Sequence, residues 1–269
     1  MIIDAHCHVW PEHIAPLVLA NRPAGIDVQQ DGTIDGLIRT MDQAGIDMAM
    51  TLAIANVPKN VDRTNEFIGT VDRSRFIPFG TVHPGLPVEQ NLRSLRDNGI
   101  RGVKLHPLFQ SLSLGDPAVL DLLRALADAG VIVITHAGAG GDADANERGA
   151  PHHVRRIVDE IPHLALIACH YGGYLRIGEA AEHVIGSRAV LETSWPPRLA
   201  DFDARQLVEI IDRHGADRVV YGSDWPMTDP VAEIAAIRAL GLAAEDEAAV
   251  LGGNLARILG IDEGAPAHS

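Results

Sequence analysis

The stretch Asp4-Ala5-His6-Cys7-His8 follows an apolar run at residues 1–3 and completes what we predict to be a buried first strand. Side chains alternate between the two faces of a strand, so Asp4, His6 and His8 share one face. Two imidazoles at this spacing can bind one metal ion together. An isolated pair of this kind is more often a pair of ordinary buried or surface histidines. The rest of the chain therefore has to supply further ligands before a metal site can be predicted.

Downstream of this stretch, short runs rich in Val, Ile and Leu alternate with segments whose apolar residues recur at helical spacing. We predict strands at residues 1–8, 48–54, 76–82, 102–106, 131–136, 164–170, 189–193 and 218–222, each followed by a helix. This alternation predicts an α/β fold, a (β/α)8 TIM barrel with residues 1–269 as a single domain. A doubly wound open sheet is the alternative architecture, but the first strand-to-helix turn lacks its glycine fingerprint.

The composition predicts a soluble protein that acts on a small molecule. Acidic residues outnumber basic ones, 36 to 22, and the resulting net charge of −14 disfavours nucleic acid and anionic membranes as partners. No apolar stretch approaches the roughly 20 residues that span a bilayer. Two cysteines, Cys7 and Cys169, do not make a disulfide framework, and no signal peptide precedes the first strand, so we expect a cytoplasmic location. A homodimer is compatible with the sequence.

Polar residues gather at the predicted strand ends. In a barrel of this class the active site lies at the C-terminal ends of the strands. The polar residues found there are His6 and His8, Lys104 and His106, His136, His170 and Asp224. Their coincidence predicts a metal site, because a divalent ion held by nitrogens and a carboxylate lowers the pKa of its water toward about 7. A nearby aspartate can accept the proton, and a histidine can protonate a leaving group or hold a developing oxyanion.

The same residues resemble a known family. Together with the segments 102–107, 172–173 and 222–226, they resemble the amidohydrolase superfamily, and most closely its amidohydrolase family 2 branch, which includes aminocarboxymuconate-semialdehyde decarboxylase. The resemblance extends to residues 253–259. It implies one divalent ion, with zinc expected and manganese as the alternative, held by His6, His8, His136 and Asp224. It also implies that Asp224 accepts a proton from the metal-activated water and that His170 acts as the acid or polarises the substrate.

The resemblance leaves more than one reaction open. It implies hydrolysis of a small ester, lactone or amide, with non-oxidative decarboxylation of a small unsaturated or aromatic acid as the alternative. A chain shorter than most decarboxylase relatives, and His6 where several of them have glutamate, favour hydrolysis. TatD-like deoxyribonucleases carry a glutamate-containing motif where this chain has residues 102–107, and the negative charge also disfavours them. A non-catalytic metal-binding protein is expected to lose Asp224 or His170, and both are present.

Two polar residues at the end of the fourth predicted strand are candidates for substrate contact. Lys104 occupies the position at which some two-metal relatives carry a carboxylated, bridging lysine, although a structural or substrate-binding role is favoured here. For His106 we rank three roles: support of the metal ligands first, contact with the substrate second and direct binding of the ion third.

Other candidates lie in the loops that follow the predicted strands. The aromatic residues Trp10, Tyr171, Trp195 and Trp225 either line a pocket or pack locally at the mouth of the barrel. Arg198 either binds a substrate carboxylate or forms a surface ion pair. The glycine-rich segment 137–150 predicts a mobile lid or a flexible surface loop.

Overall fold

The computed structural model describes residues 1–21 and 27–261. Within these residues, eight strands form one sheet whose order follows the chain. The strands are β1 Ile3–His8, β2 Met48–Leu52, β3 Phe76–Gly80, β4 Gly102–Leu105, β5 Ile132–Thr135, β6 Leu166–Ala168, β7 Val190–Glu192 and β8 Val219–Val220. The pairings from β3 through β7 are parallel, which requires a crossover between consecutive strands.

Helices supply these crossovers. In the described residues the α-helices are α1 Ala15–Ala20, α2 Ile34–Ala44, α3 Val61–Gly69, α4 Val88–Asp97, α5 Pro117–Asp128, α6 Ala143–Arg148, α7 Pro151–Glu160, α8 Ile177–His183, α9 Ala204–His214, α10 Pro230–Ala239, α11 Ala244–Ala248 and α12 Asn254–Leu259. Eight parallel strands alternating with helices define the TIM barrel, so the predicted fold class is confirmed. No helix in the described part of the chain combines the length and the apolar character needed to cross a membrane.

The last strand joins the first. The backbone N–H of Ala5 donates to the carbonyl oxygen of Tyr221, which directly follows β8, at 2.9 Å. Further along, the N–H of His8 donates to the carbonyl of Trp225, and the N–H of Trp225 donates to the carbonyl of His6. These bonds give β1 a partner on the β8 side, as closure of a (β/α)8 barrel requires.

Helix α2 shows how the sequence sets one crossover. Thr33 caps its first turn by accepting a hydrogen bond from the N–H of Gly36 at 3.0 Å. Leu37 and Met41, one turn apart, are buried on the same face. Each of these side chains contributes about 1.5–3 kcal/mol by leaving water. The helix ends at Ala44 and is capped by Gly45 in the left-handed conformation, with φ 69°.

The structure differs from the sequence-based elements mainly at their ends. The predicted strand 164–170 is reduced to Leu166–Ala168, because the backbone leaves the sheet at His170, where φ is 58°. The short helix α6 lies in the glycine-rich segment 137–150, which we predicted as a lid or a flexible loop. A π-helical turn, Ala249–Gly253, separates α11 from α12.

Contacts between residues divide the chain into two compact units. The first unit comprises Met1–Thr51, Asp72–Ile77 and Glu192–Ser269, and the second comprises Leu52–Val71 and Pro78–Leu191. That residues 1–269 act as one metal-dependent domain stays a prediction, and residues 262–269 lie outside the described part of the chain.

Candidate metal centre

The end of β1 brings two imidazoles together in the first unit. The Nε2 atoms of His6 and His8 are 3.1 Å apart. The Oδ1 atom of Asp224 lies 3.3 Å from Nε2 of His6 and 3.6 Å from Nε2 of His8. His6 and His8 point to the same side of the strand, in keeping with the alternation of strand side chains. These three side chains form a group that could hold a metal ion.

The position of Asp224 depends on the bonds that join β1 to the segment after β8. The two hydrogen bonds between Trp225 and β1 fix the backbone next to Asp224. Asp224 itself has φ 64°, a left-handed conformation that non-glycine residues adopt infrequently. The residue before Asp224 is also held in place. The buried carboxylate of Asp4 accepts hydrogen bonds from the backbone N–H of Ser223 at 3.0 Å and from that of His6 at 2.9 Å. Burial raises the pKa of Asp4 to about 6.

A buried carboxylate that we did not predict orients His6. Oε2 of Glu192, at the end of β7, lies 3.0 Å from Nδ1 of His6, so Nδ1–H donates to the carboxylate. Ser194 also donates to Glu192, through its backbone N–H at 2.5 Å and its hydroxyl at 2.9 Å. With the proton on Nδ1, the lone pair of His6 lies on Nε2, the atom that faces Asp224. Carboxylate–histidine pairs of this kind fix the tautomer of metal-binding histidines.

Gly222 makes room for Glu192. A Cβ atom at position 222 would lie 2.3 Å from Oε1 of Glu192, closer than any real contact. The glycine in the segment 222–226 therefore allows the backbone after β8 to pass directly beside the buried carboxylate. Glu192 could have been found from the sequence, because it is a glutamate at the C-terminal end of an apolar strand. Polar side chains at that end of a barrel strand tend to be functional.

The separations of the three ligand atoms fit a divalent ion. In a tetrahedral site with bonds of about 2.0–2.1 Å, neighbouring ligand atoms are about 3.3 Å apart. The corresponding separations among His6, His8 and Asp224 are 3.1, 3.3 and 3.6 Å. Imidazole nitrogens suit zinc, and the carboxylate oxygen also suits manganese. The residues present therefore fit a bound divalent metal ion.

Three further imidazoles, from the ends of β4, β5 and β6, lie together in the second unit. The rings of His106 and His136 are stacked with centroids 4.5 Å apart, and Nε2 of His170 lies 3.1 Å from Nδ1 of His136. Nε2 of His136 is 2.9 Å from the carbonyl oxygen of Ala139. Because a carbonyl oxygen only accepts, the proton of a neutral His136 is on Nε2 and the lone pair is on Nδ1.

A sharp turn at the end of β6 positions His170. His170, Tyr171 and Gly172 all have positive φ, at 58°, 54° and 77°. At Gly172 this conformation is combined with close packing, since a Cβ there would lie 2.7 Å from a methyl carbon of Val184. Only glycine satisfies both demands. The turn places the His170 ring beside His136 rather than in line with the strand.

Lys104 lies inside the second unit. Its side chain is fully buried, and its Nζ donates to Sγ of Cys169 at 3.0 Å. Cys7 and Cys169 are both buried free thiols, in agreement with the absence of a disulfide framework. The burial of Lys104 favours a structural role over substrate contact, and its role toward a substrate stays a prediction.

The aromatic candidates divide by burial. Tyr171 and Trp225 are fully buried, and Nε1–H of Trp225 donates to the hydroxyl of Thr40 at 3.2 Å. Complete burial indicates local packing for these two side chains. Half-buried Trp10 and Trp195 keep accessible ring surface.

Two of the candidates have informative neighbours in the first unit. The ring of Trp10 is stacked near that of His8, with centroids 5.9 Å apart. Arg198 is exposed and its Nη2 lies 2.9 Å from a carboxylate oxygen of Asp201. The ring of Trp10 therefore lies beside a proposed ligand, whereas Arg198 takes part in an ion pair on the surface.

Replacing Glu192 with glutamine is expected to weaken metal binding about 10–100-fold, the usual effect of removing a partner of a metal-binding histidine. The amide keeps the shape of the side chain but removes the charge that fixes Nδ1–H of His6. The Kd for Zn²⁺, measured by competition with a chromophoric chelator, checks this expectation. Glu209→Gln is the matched control, because it makes the same chemical change at an exposed position of α9. An unchanged Kd for the glutamine variant would contradict the assigned role.

Comparison with known proteins identifies the family. The amino-acid sequence matches the Amidohydro_2 family model, described as Amidohydrolase, over residues 3–261. The chain therefore belongs to the amidohydrolase family, which uses a divalent metal ion. A search of curated proteins gave no match to the sequence.

Solved structures share the fold at low sequence identity. The 5-carboxyvanillate decarboxylase LigW from Sphingomonas paucimobilis has a TM-score of 0.74 and 17% identity, covering 97% of this chain and 99% of that one. A proposed 2-pyrone-4,6-dicarboxylic acid hydrolase from Pseudomonas putida has a TM-score of 0.69 and 18% identity, covering 97% and 98%. A dihydroxybenzoic acid decarboxylase from Polaromonas sp. JS666, with bound manganese and the inhibitor 2-nitroresorcinol, has a TM-score of 0.74 and 17% identity, covering 97% of both chains. Family and fold together indicate an enzyme of the amidohydrolase fold.

Proposed function

We propose that the chain is a metal-dependent hydrolase of a small ester, lactone or amide. The observation that carries the proposal is the convergence of His6, His8 and Asp224, in which Asp224 is the most accessible member. Its side chain is 14% exposed, against 10% for His8 and 1% for His6. The carboxylate can therefore be reached by water and substrate, while His6 serves only to hold the ion.

The residues of the chain divide the chemistry among them. When bound, a divalent ion supplies Lewis acidity and makes water acidic enough to ionise near neutral pH. Asp224 accepts the proton of the attacking water, and Glu192 balances positive charge on His6 through Nδ1–H. His136 is proposed as the fourth ligand, and its lone pair on Nδ1 is the form that binds a metal. His170 is proposed to donate a proton to the leaving group or to polarise the substrate carbonyl.

Decarboxylation of a small aromatic or unsaturated acid is the second candidate. Two of the similar structures, LigW and the manganese-containing dihydroxybenzoic acid decarboxylase, are decarboxylases. The presence of His6 rather than glutamate at the first position of the metal-binding pair keeps hydrolysis as the first proposal.

The test combines metal content with isotope labelling of the product. We expect about one equivalent of zinc or manganese in protein purified without added metal or chelator, and turnover of at least one ester, lactone or amide that a chelator abolishes. In H₂¹⁸O, hydrolysis places ¹⁸O in the acid product. In D₂O, decarboxylation places deuterium on the carbon that lost CO₂. Deuterium incorporation with a carboxylic acid substrate would replace the first proposal with the second, and turnover unaffected by chelator would contradict both.

We also propose a small-molecule substrate and a cytoplasmic location for this enzyme. The net charge of −14 supports a small-molecule substrate and disfavours nucleic acid. The two buried free thiols support a reducing, cytoplasmic location. Size-exclusion chromatography with light scattering decides between a monomer and a homodimer.

A further inference from the structure

A second group of metal-binding side chains lies where α6 meets α7, within the second unit. Glu147 is in the last turn of α6, and His152 and His153 are in the first turn of α7. Oε1 of Glu147 lies 3.4 Å from Nε2 of His152 and also 3.4 Å from Nε2 of His153. The three ligand atoms all lie within 4.8 Å of one another.

These distances fit coordination better than hydrogen bonding. A hydrogen bond from a ring N–H to an oxygen is usually 2.7–3.2 Å long, so 3.4 Å is too long for a good one. In a tetrahedral zinc site with bonds of about 2.0–2.1 Å, neighbouring ligand atoms are about 3.3 Å apart. A single oxygen of Glu147 stands at nearly this distance from both ring nitrogens, and the three ligand atoms are close enough together to surround one ion.

Two of the three side chains are accessible to ions from solvent, and the third is packed against the protein. Glu147 is 62% exposed and His152 is 42% exposed, so an ion can enter from solvent. His153 is only 15% exposed, and its ring lies against Gly115. A Cβ atom at position 115 would stand 2.5 Å from Cε1 of the His153 ring. The absence of a side chain at Gly115 therefore creates the space in which the best-buried ligand sits. A third imidazole, that of His183 on α8, has its centroid 6.1 Å from the His152 ring.

We propose that Glu147, His152 and His153 form a second binding site for a transition-metal ion of the zinc type. Two imidazoles and one carboxylate are a donor set that zinc accepts, with water in the remaining position. None of these residues belongs to the centre formed by His6, His8 and Asp224.

The site joins two consecutive elements of the segment that follows β5. Residues 137–150 begin directly after His136 and contain α6. Inside this segment the N–H of Gly138 donates to the carbonyl of Gly149, and the N–H of Gly140 donates to the side chain of Asn146, both at 2.7 Å. An ion bound to Glu147 on α6 and to both histidines on α7 adds a cross-link to these bonds. Bound zinc therefore restricts the movement of the segment that begins at His136.

The experiment separates this site from the first centre. The full-length double variant His6→Ala/His8→Ala is dialysed against Zn²⁺ alone, and bound zinc is measured by mass spectrometry of the metal. We expect about one equivalent to remain bound, and His153→Ala added to this background to remove it. We also expect Zn²⁺ at about 100 times its Kd to raise the Tm by about 5 °C in the double variant, and not after His153→Ala.

Two further variants make the test specific. Gly115→Ala keeps every ligand but displaces the His153 ring, and is expected to weaken zinc binding at least 10-fold. His163→Ala is the matched control, because His163 is exposed and its Nε2 lies 3.0 Å from one carboxylate, that of Asp128. Its removal should leave the bound zinc unchanged. Zinc that persists after His153→Ala, or a double variant that binds none, would overturn the proposal. If the double variant does not fold, the wild-type chain dialysed against Zn²⁺ is expected to bind about two equivalents, one more than the chain purified without added metal, and His153→Ala about one.

Discussion

Replacing Asp224 with asparagine is expected to lower kcat by about 10³-fold or more while the chain remains folded. The loss of general-base catalysis alone accounts for about 10²–10⁴-fold, and the weaker ligand adds to it. Asparagine retains the size of the side chain, and the backbone bonds between Trp225 and β1 do not involve the carboxylate. The variant should therefore keep the far-UV circular dichroism of the wild type. The measurement is kcat on a substrate found in the panel, after metal content has been determined for both proteins.

The control for this variant is Asp212→Asn, which makes the same chemical change on the exposed face of α9. We expect its turnover to be within about twofold of the wild type, as for surface substitutions in general. Near-native turnover in the Asp224→Asn variant with metal bound would show that another group accepts the proton.

Replacing Glu233 with glutamine is expected to stabilise the protein at alkaline pH. Glu233 is buried in α10, and both of its carboxylate oxygens lie 3.2 Å from the N–H of Leu199. Burial, opposed in part by this N–H and reinforced by the charges of Asp4 and Glu192, raises the pKa of Glu233 from 4.5 to about 8. The folded chain therefore holds the proton more tightly than the unfolded chain does. Glutamine keeps an oxygen for Leu199 and never ionises.

The sign of this effect follows from proton linkage. Because the pKa is higher in the folded state, the stability associated with protonated Glu233 is complete below pH 4.5. It is lost progressively as the pH rises to about 8. The shift corresponds to at most about 5 kcal/mol, since one pKa unit is about 1.4 kcal/mol. Urea unfolding at pH 5 and pH 9 should show a variant that gains stability over the wild type only at the higher pH. Glu12→Gln, at an exposed position, is the control, and an equal gain at both pH values would contradict the assignment.

The sequence predicted the fold class because the signal repeats. Most strands are short apolar runs, and most of the longer helices have an apolar stripe, so an error of two or three residues at one boundary does not change the topology. The same regularity explains why His6 and His8 could be placed on one face of β1. Strand geometry fixes the direction of alternate side chains, whatever the tertiary environment.

What the sequence could not show was contact between residues far apart in the chain. Glu192 stands 186 positions from His6, and no local pattern reports that its carboxylate meets Nδ1. The proximity of Gly222 to Glu192 could not be predicted from a local pattern either, because it depends on how two strands approach each other. The helix α6 was missed for a different reason: it lies in a segment with several glycines, and its cap, Asp142, is a single residue.

The sequence also did not show how deeply each side chain is buried. Lys104 and Tyr171 follow the same rule of position at strand ends as the histidines do, yet both are fully buried. Position along a strand predicts which way a side chain points but not how many layers of atoms cover it. For Lys104 the covering includes Cys169, which the sequence separates from it by 65 residues.

The hydrogen bonds between β1 and the segment after β8 have a consequence for synthesis of the chain. His6 and His8 leave the ribosome well before Asp224 and the carbonyl of Trp225, which emerge only after the eight described strands have been made. A nascent or truncated chain that lacks the last strand offers the ion two imidazoles and lacks the carboxylate. With the ligands proposed above, tight retention of the metal requires the segment after β8, and proteolysis between β1 and Asp224 that frees the C-terminal part is expected to release the ion.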